Sequence, residues 1–254
     1  MNKRISYAVV AAALTVAVVL LAAGLAAAEK PVKVIAGKIE GEFNGGFSPK
    51  VLSKKKPTPI AFHISGKLRS LDPAEPHLPA LKEFQLEGDK HVSIDVKGIP
   101  ICLARELQST DTKRAKKVCG PALIGTGKTE VGIKFPEQPE IPVKSDLLAF
   151  NSGTHGGVTT LLIHAYITVP TPAAIVTTVK IKKIHNGRYG LGSTATIPKI
   201  AGGFGSVKSF SLSLQKGILS ATCPDGHLDA RGVAVFADGT KVAGGVVRQC
   251  TGKG

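Results

Sequence analysis

The sequence has no tryptophan, three tyrosines and one methionine, and aromatic residues make up only 5% of its 254 positions. Single-stranded nucleic acid is held by stacking on exposed aromatic side chains, so that class loses its main signature here, and sugar platforms lose theirs for the same reason. Acidic residues are also few, 18 against 33 lysines and arginines. Glycosidic chemistry needs two carboxylates facing one cleft, and residues 140–254 offer only Glu140, Asp146, Asp225, Asp229 and Asp238. Other chemistries lack their motifs outright. There is no Gly-x-Ser-x-Gly nucleophile elbow, no His-Glu-x-x-His zinc pair and no Cys-x-x-Cys redox pair. No catalytic, metal-binding or cofactor-binding residue is assigned from the sequence.

One long uncharged run is present, from Ile5 to Ala28, directly after Lys3 and Arg4. Small residues at Ala26 and Ala28 suit a signal peptidase cutting after Ala28, so residues 1–28 are expected to be a signal peptide. The run is long enough to span a bilayer as a retained anchor. However, it is rich in alanine, ends in a small-residue site and has no basic cluster directly after it. No cysteine follows it for lipid attachment. The expected location is extracellular or in the cell envelope.

Removing residues 1–28 takes Lys3 and Arg4 away, so the formal charge of +15 falls to about +13. The excess is spread over both halves, with no basic tail of the kind that grips nucleic acid. Spread lysines suit a solvated surface, and outside the cell they also attract anionic envelope polymers.

Cys102, Cys119, Cys223 and Cys250 are the only cysteines. An even number in an exported chain reads as two disulfides, and four cysteines allow three pairings. The local pairing, Cys102–Cys119 with Cys223–Cys250, closes the shortest loops and is the expected one.

Most of the remaining sequence reads as strand. His91–Val96 alternates with Val92, Ile94 and Val96 on one face, and segments such as Val158–Val169 and Ile175–Ile184 are rich in Val, Ile and Thr. Asn186-Gly187 and Asp238-Gly239 are two-residue hairpin signals. Helix signal is limited to Thr112–Val118, with Thr112 as the expected cap. Many short strands, 29 glycines and 16 prolines predict a mainly β, two-layer β-sandwich (jelly-roll-like or immunoglobulin-like) over residues 29–254. Pro136, Pro139 and Pro142 mark the one place, 136–142, where it could divide in two.

Two local patterns attract chemical readings. Ala122–Thr129 ends in Gly127-Lys128-Thr129 like a phosphate-binding loop, but Ala122 stands where glycine is required and a strand pattern follows instead of a helix. It is read as two strands joined by a glycine turn, with no nucleotide bound. Asp225, His227 and Asp229 form the densest polar cluster, in a loop next to Cys223. Each lone histidine reads as a surface residue or a satisfied core residue.

Several stretches resemble secreted β-rich actinobacterial proteins of unassigned function. They are Phe47-Ser-Pro-Lys50, Gly98-Ile-Pro100 with Cys102, Cys119-Gly-Pro-Ala-Leu-Ile-Gly125, Phe150-Asn151 and Cys223-Pro-Asp-Gly226. The resemblance implies export and compactness, and it implies no catalytic residue. The expectation is therefore a non-catalytic secreted or envelope-associated protein, with anionic envelope polymers as partner and no nucleic acid. A secreted hydrolase acting on wall glycan or esters, and an extracellular carrier of a small ligand, are the alternatives.

Overall fold

A computed structural model describes residues 29–254; the expected signal peptide lies outside the described residues. The chain forms strands β1 (Val32–Ala36), β2 (Ile39–Ser48), β3 (Val51–Ser53), β4 (Thr58–Ser70), β5 (Leu81–Asp89) and β6 (Val92–Ile94), then helices α1 (Ala104–Leu107) and α2 (Thr112–Cys119). It continues as β7 (Leu123–Ile133), β8 (Ile141–His155), β9 (Val158–Ile167), β10 (Ala173–Asn186), β11 (Tyr189–Thr196), β12 (Gly205–Ala221), β13 (His227–Phe236), β14 (Lys241–Gln249) and β15 (Thr251–Lys253). All strands but β3 and β15, which pair with each other in parallel, belong to one antiparallel sheet ordered β1-β2-β4-β12-β7-β8-β9-β10-β11-β5-β13-β14, with β6 attached to β12.

That sheet corrects the expected two-layer sandwich. Its path turns through 352° about one axis and so nearly closes into a single barrel of 12–13 strands. The two end strands, β1 and β14, lie side by side. A Cβ added at Gly244 of β14 would meet Phe43 of β2 at 3.0 Å and Val34 of β1 at 3.5 Å. The physical reason is curvature. Glycines on the inner face leave room for rings, with Gly66 against Phe210, Gly232 against Phe84 and Gly244 against Phe43. A sheet bent this tightly faces its apolar side chains toward one common axis, so no second layer is needed.

The expected strands and turns hold locally. β9 and β10 cover the two long segments, and Pro170 and Pro172 fall between them. Asn186-Gly187 joins β10 to β11 and Asp238-Gly239 joins β13 to β14, with Gly187 and Gly239 at φ of +59° and +89°. The 136–142 stretch connects β7 to β8, neighbours that pair from Leu123 opposite Phe150 to Ile133 opposite Ile141.

β9 is buried on both faces. Leu161, Ile163, Ala165 and Ile167 point into the barrel. On the outer face, Leu162 packs with Leu148 and Phe150 beneath Leu107, Ala115 and the Cys102–Cys119 disulfide. The two short helices are therefore an external cover over β8–β10. α2 is capped by Asp111, whose side chain accepts the N–H of Arg114, so Thr112 is the first helical residue and not the cap. Cys223–Cys250 is the second disulfide.

The phosphate-loop lookalike is neither a phosphate loop nor two strands with a turn between them. Gly120–Ala122 is a single 3-10 turn, and the chain then runs unbroken through β7. Gly125 and Gly127 are needed by the neighbouring backbone. A Cβ at Gly127 would sit 1.9 Å from the carbonyl oxygen of Ser211 on β12, and one at Gly125 would sit 2.5 Å from that of Ser213.

Candidate functional site

The barrel encloses a lumen of about 300 Å³. Its middle is ringed by phenylalanines, with the Phe84 and Phe210 rings 5.1 Å apart and Phe43 6.1 Å from Phe84. Phe62, Leu147, Ile163, Val179, Leu212 and Val246 add aliphatic and aromatic wall. Polar side chains on the wall are few: Asn44, Asp89, Asp229 and Arg248, with the hydroxyls of Thr129, Thr177 and Ser193. The Thr129 hydroxyl donates to the carbonyl of Ser209 and the Ser193 hydroxyl to that of Leu86, while Arg248 donates to the Gly45 carbonyl and Asn44 Oδ1.

One end is sealed by two connections. Leu78 packs among Ile39, Leu81, Phe236 and Val242, while Ile200 packs against Ile133, Val143 and Ile167. Outside this seal, Glu140 accepts from Lys208 and His77. Burial pushes the Glu140 carboxyl up, but these two partners outweigh it and hold it below its ordinary value. The other end is crossed by residues 90–101. Val92, Ile94, Val96 and Ile99 of that segment pack onto Phe47, Ile60, Leu214 and Leu228 at the barrel rim. β6 ties the segment to β12, and the Asn151 side-chain amide donates to the carbonyls of Ile99 and Pro100.

The cluster of Asp225, His227 and Asp229 lies at this second end, and the structure shows what surrounds it. Arg188 Nε donates to Asp89 Oδ2 and Arg188 Nη1 to Asp225 Oδ2, both at 2.7 Å, and Asp229 Oδ2 lies 3.5 Å from Nε. Asp89 has no exposed surface and accepts from the backbone N–H groups of His91 and Asp229. His227 Nε2 is 3.6 Å from Asp229 Oδ1, and its carbonyl accepts from Arg188. The hydrogen bond from Arg188 holds the Asp225 carboxyl below the ordinary range. This network ties β5, β11 and β13 together at the rim. Asp89, His91 and Arg188 were missed by sequence reasoning, because Arg188 stands 99 residues after Asp89 and 37 before Asp225; only the charged Asp89 ending an alternating strand could have been singled out.

Among the described residues, one group has metal-ligand spacing: Cys102, Glu106 and Cys119. Both sulfurs are used in the disulfide, and Glu106 Oε2 accepts the N–H of Leu103, a capping contact for α1. His164 is fully buried beneath the helical cover. Its Nε2 lies 2.8 Å from the carbonyl of Thr110, and its Nδ1 has no partner.

Along the outer surface of the sheet, charged residues such as Glu40, Glu42, Lys67 and Arg69 alternate with the inward apolar ones. Apolar-in and polar-out is the reverse of a membrane-spanning barrel. Among the described residues, no helix is long and apolar enough to cross a membrane. No family model, curated protein or solved structure matches the chain.

Proposed function

We propose that this protein is a non-catalytic extracellular carrier that holds a small apolar molecule in the barrel lumen. The observation that carries the reading is the lumen itself, a space of about 300 Å³ walled mostly by hydrocarbon. At about 24 cal/mol per Å³, an apolar space of that size costs about 7 kcal/mol if nothing fills it, a large part of a domain's net stability of about 5–15 kcal/mol. An apolar occupant restores the dispersion contacts the wall otherwise lacks. The volume is at the lower edge of small-ligand pockets, which start at about 300 Å³. Attachment to anionic envelope polymers needs only the surface lysines and is compatible with this role.

The absence of tryptophan gives a clean test. Phe84→Trp places a single indole on the lumen wall. Titration with 1-dodecanol is expected to change its emission saturably at one molecule per chain. Emission that stays unchanged up to the solubility limit rejects the carrier reading.

A further inference from the structure

A second space lies outside the segment 90–101. It is a cleft of about 820 Å³ between that segment, the β8–β9 turn and the β10–β11 hairpin. Its character differs from that of the lumen. Four lysines, Lys90, Lys97, Lys182 and Lys183, line it against the single carboxylate of Asp95. The Asp95 carboxylate is already occupied in part by the backbone N–H of Lys97. The floor of the cleft is apolar, and Ile101 keeps 59% of its surface exposed there. Val92, Ile181 and Leu191 line both the cleft and the lumen, so the two spaces share one wall of three side chains.

We infer that the ligand is a single-chain amphiphile with an anionic head, carboxylate or phosphate, its chain in the lumen and its head in the lysine-lined cleft. The inference rests on the carrier reading and adds the charge and polarity of the ligand to it. The chemistry of each space supports its half of the molecule. The one cation on the lumen wall, Arg248, already donates to Gly45 and Asn44, and the two carboxylates there, Asp89 and Asp229, would repel an anionic head, which would be buried at a large desolvation cost. The cleft is open to water, holds an excess of ammonium groups, and demands no such burial. The chain passes between the two at Val92, Ile181 and Leu191. Ile181 is buried there and Val92 and Leu191 are half-buried, so the passage requires their packing to be displaced.

The test uses the mature chain and four probes of one chain length: dodecanoate, dodecyl phosphate, 1-dodecanol and dodecyltrimethylammonium, all below their aggregation concentrations, titrated by calorimetry. Both anions are expected to bind about tenfold or more tighter than the alcohol at low salt, and the cation weakest, with the gap narrowing as salt screens the lysines. Lys97→Glu with Lys183→Glu is expected to erase the preference for the anions over dodecanol. Equal affinity for anion and alcohol, or an unchanged preference in the charge-reversed variant, overturns the head-group inference and leaves the lumen reading standing. Failure of all four probes overturns both. Ala195→Trp, which fills the lumen, separates specific binding from adsorption to a basic surface: anion binding is expected to disappear, and its survival overturns the inference. A preference between dodecanoate and dodecyl phosphate identifies the head.

Discussion

Arg248 on β14 donates from Nε to the carbonyl oxygen of Gly45 on β2, across the seam where no backbone ladder joins β14 to β1 among the described residues. The same guanidinium donates to Asn44 Oδ1 at 2.7 Å and to the carbonyl of Lys30, and it lies 3.0 Å from Glu29 Oε2. Glu29 in turn takes Lys50 at 2.9 Å. One side chain thus does at the seam what a row of backbone bonds does elsewhere. Arg248→Met is expected to cost about 1.5–3 kcal/mol, the range for hydrogen bonds to charged groups. Amide hydrogen exchange should accelerate in β1 and β14 before any other strand. Uniform acceleration would show that the seam is not the weak line.

Gly127 gives a sharper contrast. With a Cβ placed 1.9 Å from a backbone oxygen, Gly127→Ala must push β7 and β12 apart and is expected to cost about 3 kcal/mol, the upper end for overpacking. Gly245 of β14, exposed and with an added Cβ at an ordinary 3.5 Å from the carbonyl of Ala230, is the control. Gly245→Ala is expected to be neutral or to gain about 0.4–1 kcal/mol. Urea midpoints of the two variants decide this. Equal midpoints would mean that the close approach of the strands is unimportant.

Gly125 and Gly127 also show what the sequence could and could not tell. In a phosphate loop, glycines let the backbone reach a ligand; here they let it reach another strand, and sequence alone cannot separate the two. Local features were legible because their causes are local. Period-2 alternation located β9 and β10, and the positive φ that Gly187 and Gly239 supply located two hairpins. The closure into a barrel was not legible. Sandwich and barrel strands both bury one face, so each strand reads the same in either fold. The difference lies in distant pairings, such as Ser209 with both Lys67 and Glu130, and in β5 entering between β11 and β13. The rim network suffered likewise: Asp225, His227 and Asp229 sit close in sequence, while Asp89 and Arg188 reach them only through the sheet.

His164 should make stability depend on pH. Burial is the main influence and pushes its imidazole below the ordinary value, although the Thr110 carbonyl and Asp111 oppose this. The unfolded chain, near pKa 6.5, therefore takes up the proton first as pH falls. The stabilising contribution is complete above about pH 6.5 and is lost progressively as pH drops from there toward the folded value. Asp225 and Glu140, held below the ordinary carboxylate range, lose theirs only at more acidic pH. His164→Gln keeps a donor for Thr110 but cannot titrate. Its unfolding free energy should change less between pH 7.5 and 5 than that of the natural chain. Parallel profiles would contradict this.

Filling the lumen should be cheap where filling a packed core is not. Ala195 faces the lumen from β11. Ala195→Trp is expected to cost under about 1 kcal/mol, against the usual 1–3 kcal/mol for overpacking. A loss well above that range would mean the wall is already close-packed at Ala195.

The most direct test of a lumen carrier is to locate a bound chain among named side chains. With 1-dodecanol bound to isotope-labelled protein, nuclear Overhauser contacts should link its methylene protons to the rings of Phe62, Phe84 and Phe210, all of which line the lumen or pack within its aromatic cluster. Contacts confined to exposed side chains such as Ile35 and Val247, or no contacts at all, would contradict the account.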